Sequence, residues 1–184
     1  MQEEVDIVRI SDEQIKILRN VLGERIYFLY SDKLQVEHLE KGYVFWANGF
    51  AIALSTINQP PGKFRTYINI SADYRTCPKD ASTYYEFDVN VSGAPLWQEG
   101  ALQFGKLSSL KVFSDPILMI EIYQNCNKAG EKGRLHDCAM VLYSQRRKYL
   151  LQARQELVGG INIMLDEAFI ESQIRPLKLR YTLV

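Results

Sequence analysis

No stretch of this 184-residue chain approaches the ~20 consecutive apolar residues that a membrane-spanning helix requires. Its first residues, Met1-Gln-Glu-Glu-Val-Asp6, are acidic where a secretory leader is basic and then apolar. Both absences lead to the expectation of a soluble, cytoplasmic protein with no membrane partner. Cysteine is scarce as well. The three present, Cys77, Cys126 and Cys138, are odd in number and show no short paired spacing, which argues against a disulfide framework. Net charge is missing altogether: 22 Lys and Arg balance 22 Asp and Glu, so no overall field draws in nucleic acid. The phosphate-loop, dinucleotide, nucleophile-elbow and zinc-protease patterns are all absent, so neither a cofactor nor a metal is implied. Without a repeat, linker or low-complexity tract, residues 1–184 are expected to form a single domain.

What the chain does contain is β-forming sequence. Tyr43-Val-Phe-Trp-Ala-Asn-Gly-Phe-Ala-Ile-Ala-Leu54 places two apolar runs around Asn48-Gly49, the pair that a two-residue type I′ turn favours. Such a hairpin would set Ala47 opposite Phe50 and Phe45 opposite Ile52. Being apolar on both faces, it belongs in the interior of the fold. Residues 25–30 and 34–39 are expected to lead into it as a meander. Further strands are read at 64–71, 83–92, 117–123, 138–143 and 177–183, with weak alternation over 101–114. The regions 58–62, 72–82, 93–100 and 128–134 are read as loops.

Helical signals are fewer. Ser11-Asp-Glu-Gln14 is a capping box followed by Ile15, Leu18 and Leu22, and Asp166 can cap a short helix carrying Phe169, Ile170 and Ile174 before Pro176. The segment 145–157 has high helix propensity, with a hairpin turning at Arg146-Arg147 as the alternative; the helix is preferred. The fold class is therefore α+β and β-dominated. About ten mainly antiparallel strands form one curved sheet or two sheets, with two or three helices.

Candidate chemistry is sparse. Cys126, His136 and Cys138 could gather on paired strands, with His136 and Cys138 on one strand face, yet a zinc ion would want a fourth ligand and a catalytic thiol a positioned base. Glu86 and Asp88 share a strand face about 7 Å apart, within reach of paired-carboxylate hydrolysis, although charged alternation is also what a solvated strand shows. Trp97, in a loop bracketed by Gly93 and Gly100, either plugs the sheet end or anchors a partner. The leading expectation is a non-catalytic intracellular interaction or regulatory protein with a protein partner. The alternative is a hydrolase or transferase using Glu86 and Asp88, or Cys126, His136 and Cys138.

Overall fold

Strand dominates the computed structural model, which describes residues 7–31, 33–39, 42–54, 66–76, 81, 83–93, 108–112, 115–125, 135–154 and 159–184. In chain order the elements are β1 (Ile7–Val8), α1 (Asp12–Arg19), β2 (Phe28–Ser31), β3 (Gln35–Leu39), β4 (Gly42–Ala47) and β5 (Gly49–Leu54). There follow β6 (Thr66–Thr76), β7 (Thr83–Ser92), β8 (Ser108–Lys111), β9 (Ile117–Gln124), β10 (Leu135–Ser144) and β11 (Lys148–Ala153). The chain finishes with β12 (Ile161–Met164), α2 (Glu167–Ile174) and β13 (Lys178–Leu183).

These strands form two sheets. One runs β13-β9-β10-β11-β12-β4-β3, with β1 alongside β10; the other is the five-stranded β7-β6-β5-β2-β8. Every pairing is antiparallel except the short β1–β10 contact. The α+β, β-dominated class read from the sequence is the class observed.

Alternation explains the layering. In β7, Tyr85, Phe87 and Val89 turn into a core shared with Phe50, Ile52, Ile68 and Ile70 of the same sheet and with Ile120, Ile122, Met140, Leu142 and Leu151 of the larger one. The larger sheet is apolar on its other face too. There Val141, Leu150 and Met164 meet Phe169, Ile170 and Ile174 of α2, making the large sheet the middle layer of three. Both helices begin as their sequences dictate. The Ser11 hydroxyl accepts from the Gln14 amide at 3.2 Å while Gln14 Oε1 accepts from the Ser11 amide at 3.0 Å. Asp166 Oδ1 accepts from the Phe169 amide at 2.8 Å.

The expected 43–54 hairpin does not form. β4 pairs with β3 and β12 in the large sheet, whereas β5 pairs with β2 and β6 in the small one. Asn48 is a corner at which the chain changes sheets, and neither it nor Gly49 adopts positive φ. The glycine serves clearance instead: a Cβ on Gly49 would stand 3.0 Å from the Ile70 carbonyl oxygen and 3.2 Å from Ser71 Cβ. Of the expected meander the β3–β4 pairing forms, but β2 joins β5 and β8 in the other sheet.

The helix expected at 145–157 is corrected as well. Ser144 accepts the Arg147 amide across a turn, and β11 returns along β10. Its residues Tyr149 and Leu151 face the inter-sheet core while Leu150 faces α2, a period-two pattern that burial on both faces rewards over helix propensity. β6 runs on to Thr76, into the region read as loop. The loops expected at 58–62, 94–100 and 128–134 lie outside the described residues.

Gly159 and Gly160 complete the corner. Their φ angles are +70° and +103°, and added Cβ atoms would meet the Ala72 oxygen at 2.9 Å and the Ala47 oxygen at 2.8 Å respectively. Gly160→Ala should therefore cost about 2 kcal/mol or more, combining left-handed strain with a backbone collision. Gly93→Ala, with nothing among the described residues within 4 Å of the new methyl group, should be nearly neutral. Denaturant midpoints of the two variants check this, and equal effects would contradict the steric account.

Candidate functional site

β9 and β10 pair as expected, and Asn125 stands beside His136. The Asn125 amide donates to the His136 oxygen at 3.1 Å, and Asn125 Oδ1 accepts from the His136 amide at 2.7 Å. Cys126 lies outside the described residues. His136 and Cys138 do not share a face, because Asp137 pairs with Gln124 and Ala139 with the adjacent Tyr123, leaving Cys138 as the extra residue of a β-bulge. The His136 ring turns toward Tyr85 of the facing sheet, centroids 6.1 Å apart, while Cys138 packs in the α2-side core. Among the described residues no group of three or more His, Cys, Asp and Glu side chains could hold a metal ion.

The bulge brings out a group for which the sequence offered no local sign. Asp137, almost fully buried, accepts from Arg180 Nε at Oδ1 and from Nη2 at Oδ2, both at 2.6 Å, and from the Ile10 amide at 2.8 Å. Arg180 is itself the residue skipped in the β13–β9 register between Leu179 and Tyr181. Two bulges on either side of β9 thus bring a carboxylate and a guanidinium together across it. The bidentate pair ties the segment before α1 and the last strand to β10.

Glu86 and Asp88 do lie on one face of β7, as read. Each is held by neighbours. Glu86 Oε2 sits 3.3 Å from Arg75 Nε. Asp88 accepts from Asn90 Nδ2 at 2.8 Å and from Gln14 Nε2 at 3.2 Å, which ties α1 to the sheet. Trp97 lies outside the described residues.

A third polar group sits on the α2 side of the large sheet. Glu121 Oε2 accepts from the hydroxyls of Tyr123 and Tyr143, each at 2.6 Å. Burial, seconded by the hydrogen bond to Glu121, pushes the Tyr123 phenol up to about 12, and the same causes raise Tyr143 further. Lys148 lies over the Tyr143 ring, 5.4 Å from its centroid, and pairs with Glu171. Every member has a partner within the chain, so the group reads as a lock on the sheet's outer face.

The large sheet ends differently. β12 pairs with β4 only over Phe45–Ala47, so the β3–β4 hairpin runs on past its neighbour. All five residues of β3 are exposed, with Val36 at 51% and Leu39 at 42%, and Tyr43 on β4 is 56% exposed. Its root is fixed: the Arg154 guanidinium stacks 4.0 Å from the Trp46 ring centroid and reaches Glu37 at 3.8 Å. Nearer the tip, the His38 and Tyr43 rings meet at 4.5 Å. The sign of this in the sequence was that Val36 and Leu39 fall on opposite faces of one strand, so that neither face is consistently apolar.

The described residues form a two-sheet β-structure with one helix on the outer face of the large sheet and an exposed terminal strand. No protein family, characterised protein or solved structure matches the chain.

Two outcomes test these assignments. Arg180→Met leaves the buried Asp137 carboxylate without its cation and should cost about 3–5 kcal/mol, whereas Asp137→Leu combined with Arg180→Met should cost less than that single change. Urea midpoints decide; a double variant worse than Arg180→Met alone would contradict the paired-charge account. The raised phenols carry a pH signature. The unfolded chain releases these protons near 10 and the folded one does not, so their contribution to stability is complete below pH 10 and is lost as pH climbs through about 12. Phenolate absorbance should show Tyr123 titrating late. In Glu121→Gln it should shift down only in part, because burial is the larger cause.

Proposed function

We propose that this is a non-catalytic binding protein that receives an extended segment of a partner protein along β3. The observation that carries the reading is the terminal strand, all five of whose residues are exposed. Among the described residues β3 pairs only with β4, so its other side offers backbone donors and acceptors, and alternate side chains supply specificity. Natural edge strands are commonly blunted by lysine or proline; Gln35-Val-Glu-His-Leu39 contains neither. Val36 and Leu39 add apolar contact on the two faces. Self-pairing about the strand's midpoint would set Glu37 against its own copy, like charges directly opposite, which favours a different chain as the occupant.

Supporting the intracellular part of the reading, Cys138 is a free thiol buried in the core. Against the hydrolase or transferase alternative, Glu86 is paired with Arg75 and Asp88 with Asn90 and Gln14, and His136 and Cys138 face opposite sides of the large sheet.

A random-peptide display selection against the immobilised protein tests the proposal. Wild type should enrich peptides with alternating apolar positions, and the double variant Val36→Lys with Leu39→Lys should bind them at least about tenfold more weakly without a change in melting temperature. Ligands indifferent to both substitutions would overturn the assignment of the edge.

A further inference from the structure

The two faces of β3 are finished differently. In the β3–β4 register Val36 stands beside Phe45 and His38 beside Tyr43, whereas Gln35, Glu37 and Leu39 stand beside Trp46, Val44 and Gly42. Phe45 packs against the core between the sheets and Val44 against the core under α2, so the first set lies on the inter-sheet side and the second on the α2 side. On the inter-sheet side the two cross-strand pairs gather apolar and aromatic groups without an Asp, Glu, Lys or Arg among them. Val36 and Tyr43 are each more than half exposed, and the His38 and Tyr43 rings meet at 4.5 Å. The α2 side holds the one carboxylate of β3. The Glu37 side chain is half-exposed, and its Oε2 lies 3.8 Å from Arg154 Nη2, near the outer limit of an ion pair. That guanidinium is largely buried and reaches Glu37 from the β4 side, over Trp46, so a strand arriving at the open edge meets the carboxylate first.

We propose that the partner segment received by β3 is a strand reading apolar, basic, apolar, with its lysine or arginine beside Glu37 and its apolar neighbours beside Val36 and His38; this rests on β3 being the receiving edge. Side chains directly opposite on adjacent strands stand about 5 Å apart, where opposite charges attract and like charges repel. Arg154 does not cancel the attraction. It holds the far side of the carboxylate, and because Coulomb energy falls with distance, a cation on the near side gains more from Glu37 than it loses to Arg154. The residues before and after that cation turn to the other face, where Val36, Phe45, His38 and Tyr43 offer surface to β-branched or aromatic side chains. β3 itself reads Val36-Glu37-His38, with an acid at its centre, so the occupant is its charge complement rather than a second copy.

The test is calorimetric titration of the full chain with two palindromic peptides, Thr-Thr-Thr-Val-Lys-Val-Thr-Thr-Thr and the same sequence with glutamate in place of lysine. A palindrome presents the same side chains whichever way the strand runs, and threonine, with a hydroxyl and a methyl group, suits both Gln35 and Leu39. Wild type should bind the lysine peptide about fivefold more tightly than the glutamate peptide at low salt, a gap that narrows at about 1 M salt. Glu37→Gln should close the gap and Glu37→Lys should reverse it, both at unchanged melting temperature; the glutamine variant alone decides where the lysine variant does not fold. Peptides that bind wild type, are lost in the Val36→Lys, Leu39→Lys variant and yet show no preference, or a preference that Glu37→Gln leaves intact, would overturn the charge assignment while β3 stands as the receiving edge. Neither peptide binding at millimolar concentration, or binding that the double lysine variant retains, would overturn both readings, as would a dimer through β3 that the lysine peptide fails to dissociate.

Discussion

The two sheets of this protein meet, at one corner, backbone to backbone. Gly159 and Gly160 stand where an added Cβ would press on the carbonyl oxygens of Ala72 in the small sheet and Ala47 in the large one, and Gly49 has as little room against Ile70 of its own sheet. The Gly160 amide donates to the Ala72 oxygen at 2.9 Å while its own oxygen accepts from Arg154 at 2.9 Å, so the corner is hydrogen-bonded across both sheets as well as tight. A side chain there would hold the sheets apart. The apolar residues that fill the space between them, from Phe50 to Met140, would then lose contacts that fall off steeply with distance. Hydrophobic burial supplies most of the stabilisation, but this clearance sets the distance over which burial operates.

Charge plays a narrower part. The Asp137–Arg180 pair lies beneath the surface and gathers three remote pieces of chain: the segment before α1, the start of β10 and the C-terminal strand. Its worth lies less in net stability, since burying two charges consumes much of what their attraction returns, than in the arrangement it enforces. A carboxylate with three donors converging on it tolerates few alternative registers. The two bulges beside β9 are the local deformation that lets the partners reach each other.

Strands with one solvated face were legible from sequence because their pattern is local. Thr83–Ser92 was read with the boundaries it has, and both helix starts followed from side chains three residues apart. Pairing was another matter. Asn48-Gly49 carries the composition of a hairpin turn, yet what selects a hairpin over a corner is whether the flanking strands gain more from each other than from β12 and β6, a contest decided in part by β12 residues more than a hundred positions away. The same holds for residues 145–157, where propensity favoured a helix and burial on two faces imposed a strand. Of the candidate site residues, Glu86 and Asp88 were placed on the right face. Alternation failed at His136 and Cys138 because a bulge, which has no sequence signature here, inserts one residue and sends the following side chains to the opposite face.

The remaining asymmetry of the fold lies in how its surfaces are finished. Around Glu121, Tyr123, Tyr143, Lys148 and Glu171, polar groups satisfy one another and close the α2 face of the large sheet. At β3 the reverse holds: Arg154, Trp46 and Glu37 fix the root of a hairpin whose tip carries apolar residues into solvent. A strand that were merely left over would gain nothing from a stacked guanidinium holding it in line with the sheet. Rigid support beneath an uncovered edge lowers the ordering cost for whatever pairs with it, since the receiving strand is already in the conformation that pairing demands. On the strand-receiving proposal, the Arg154 contacts would hold the β3–β4 hairpin against the sheet in the extended conformation that pairing with a ligand strand demands.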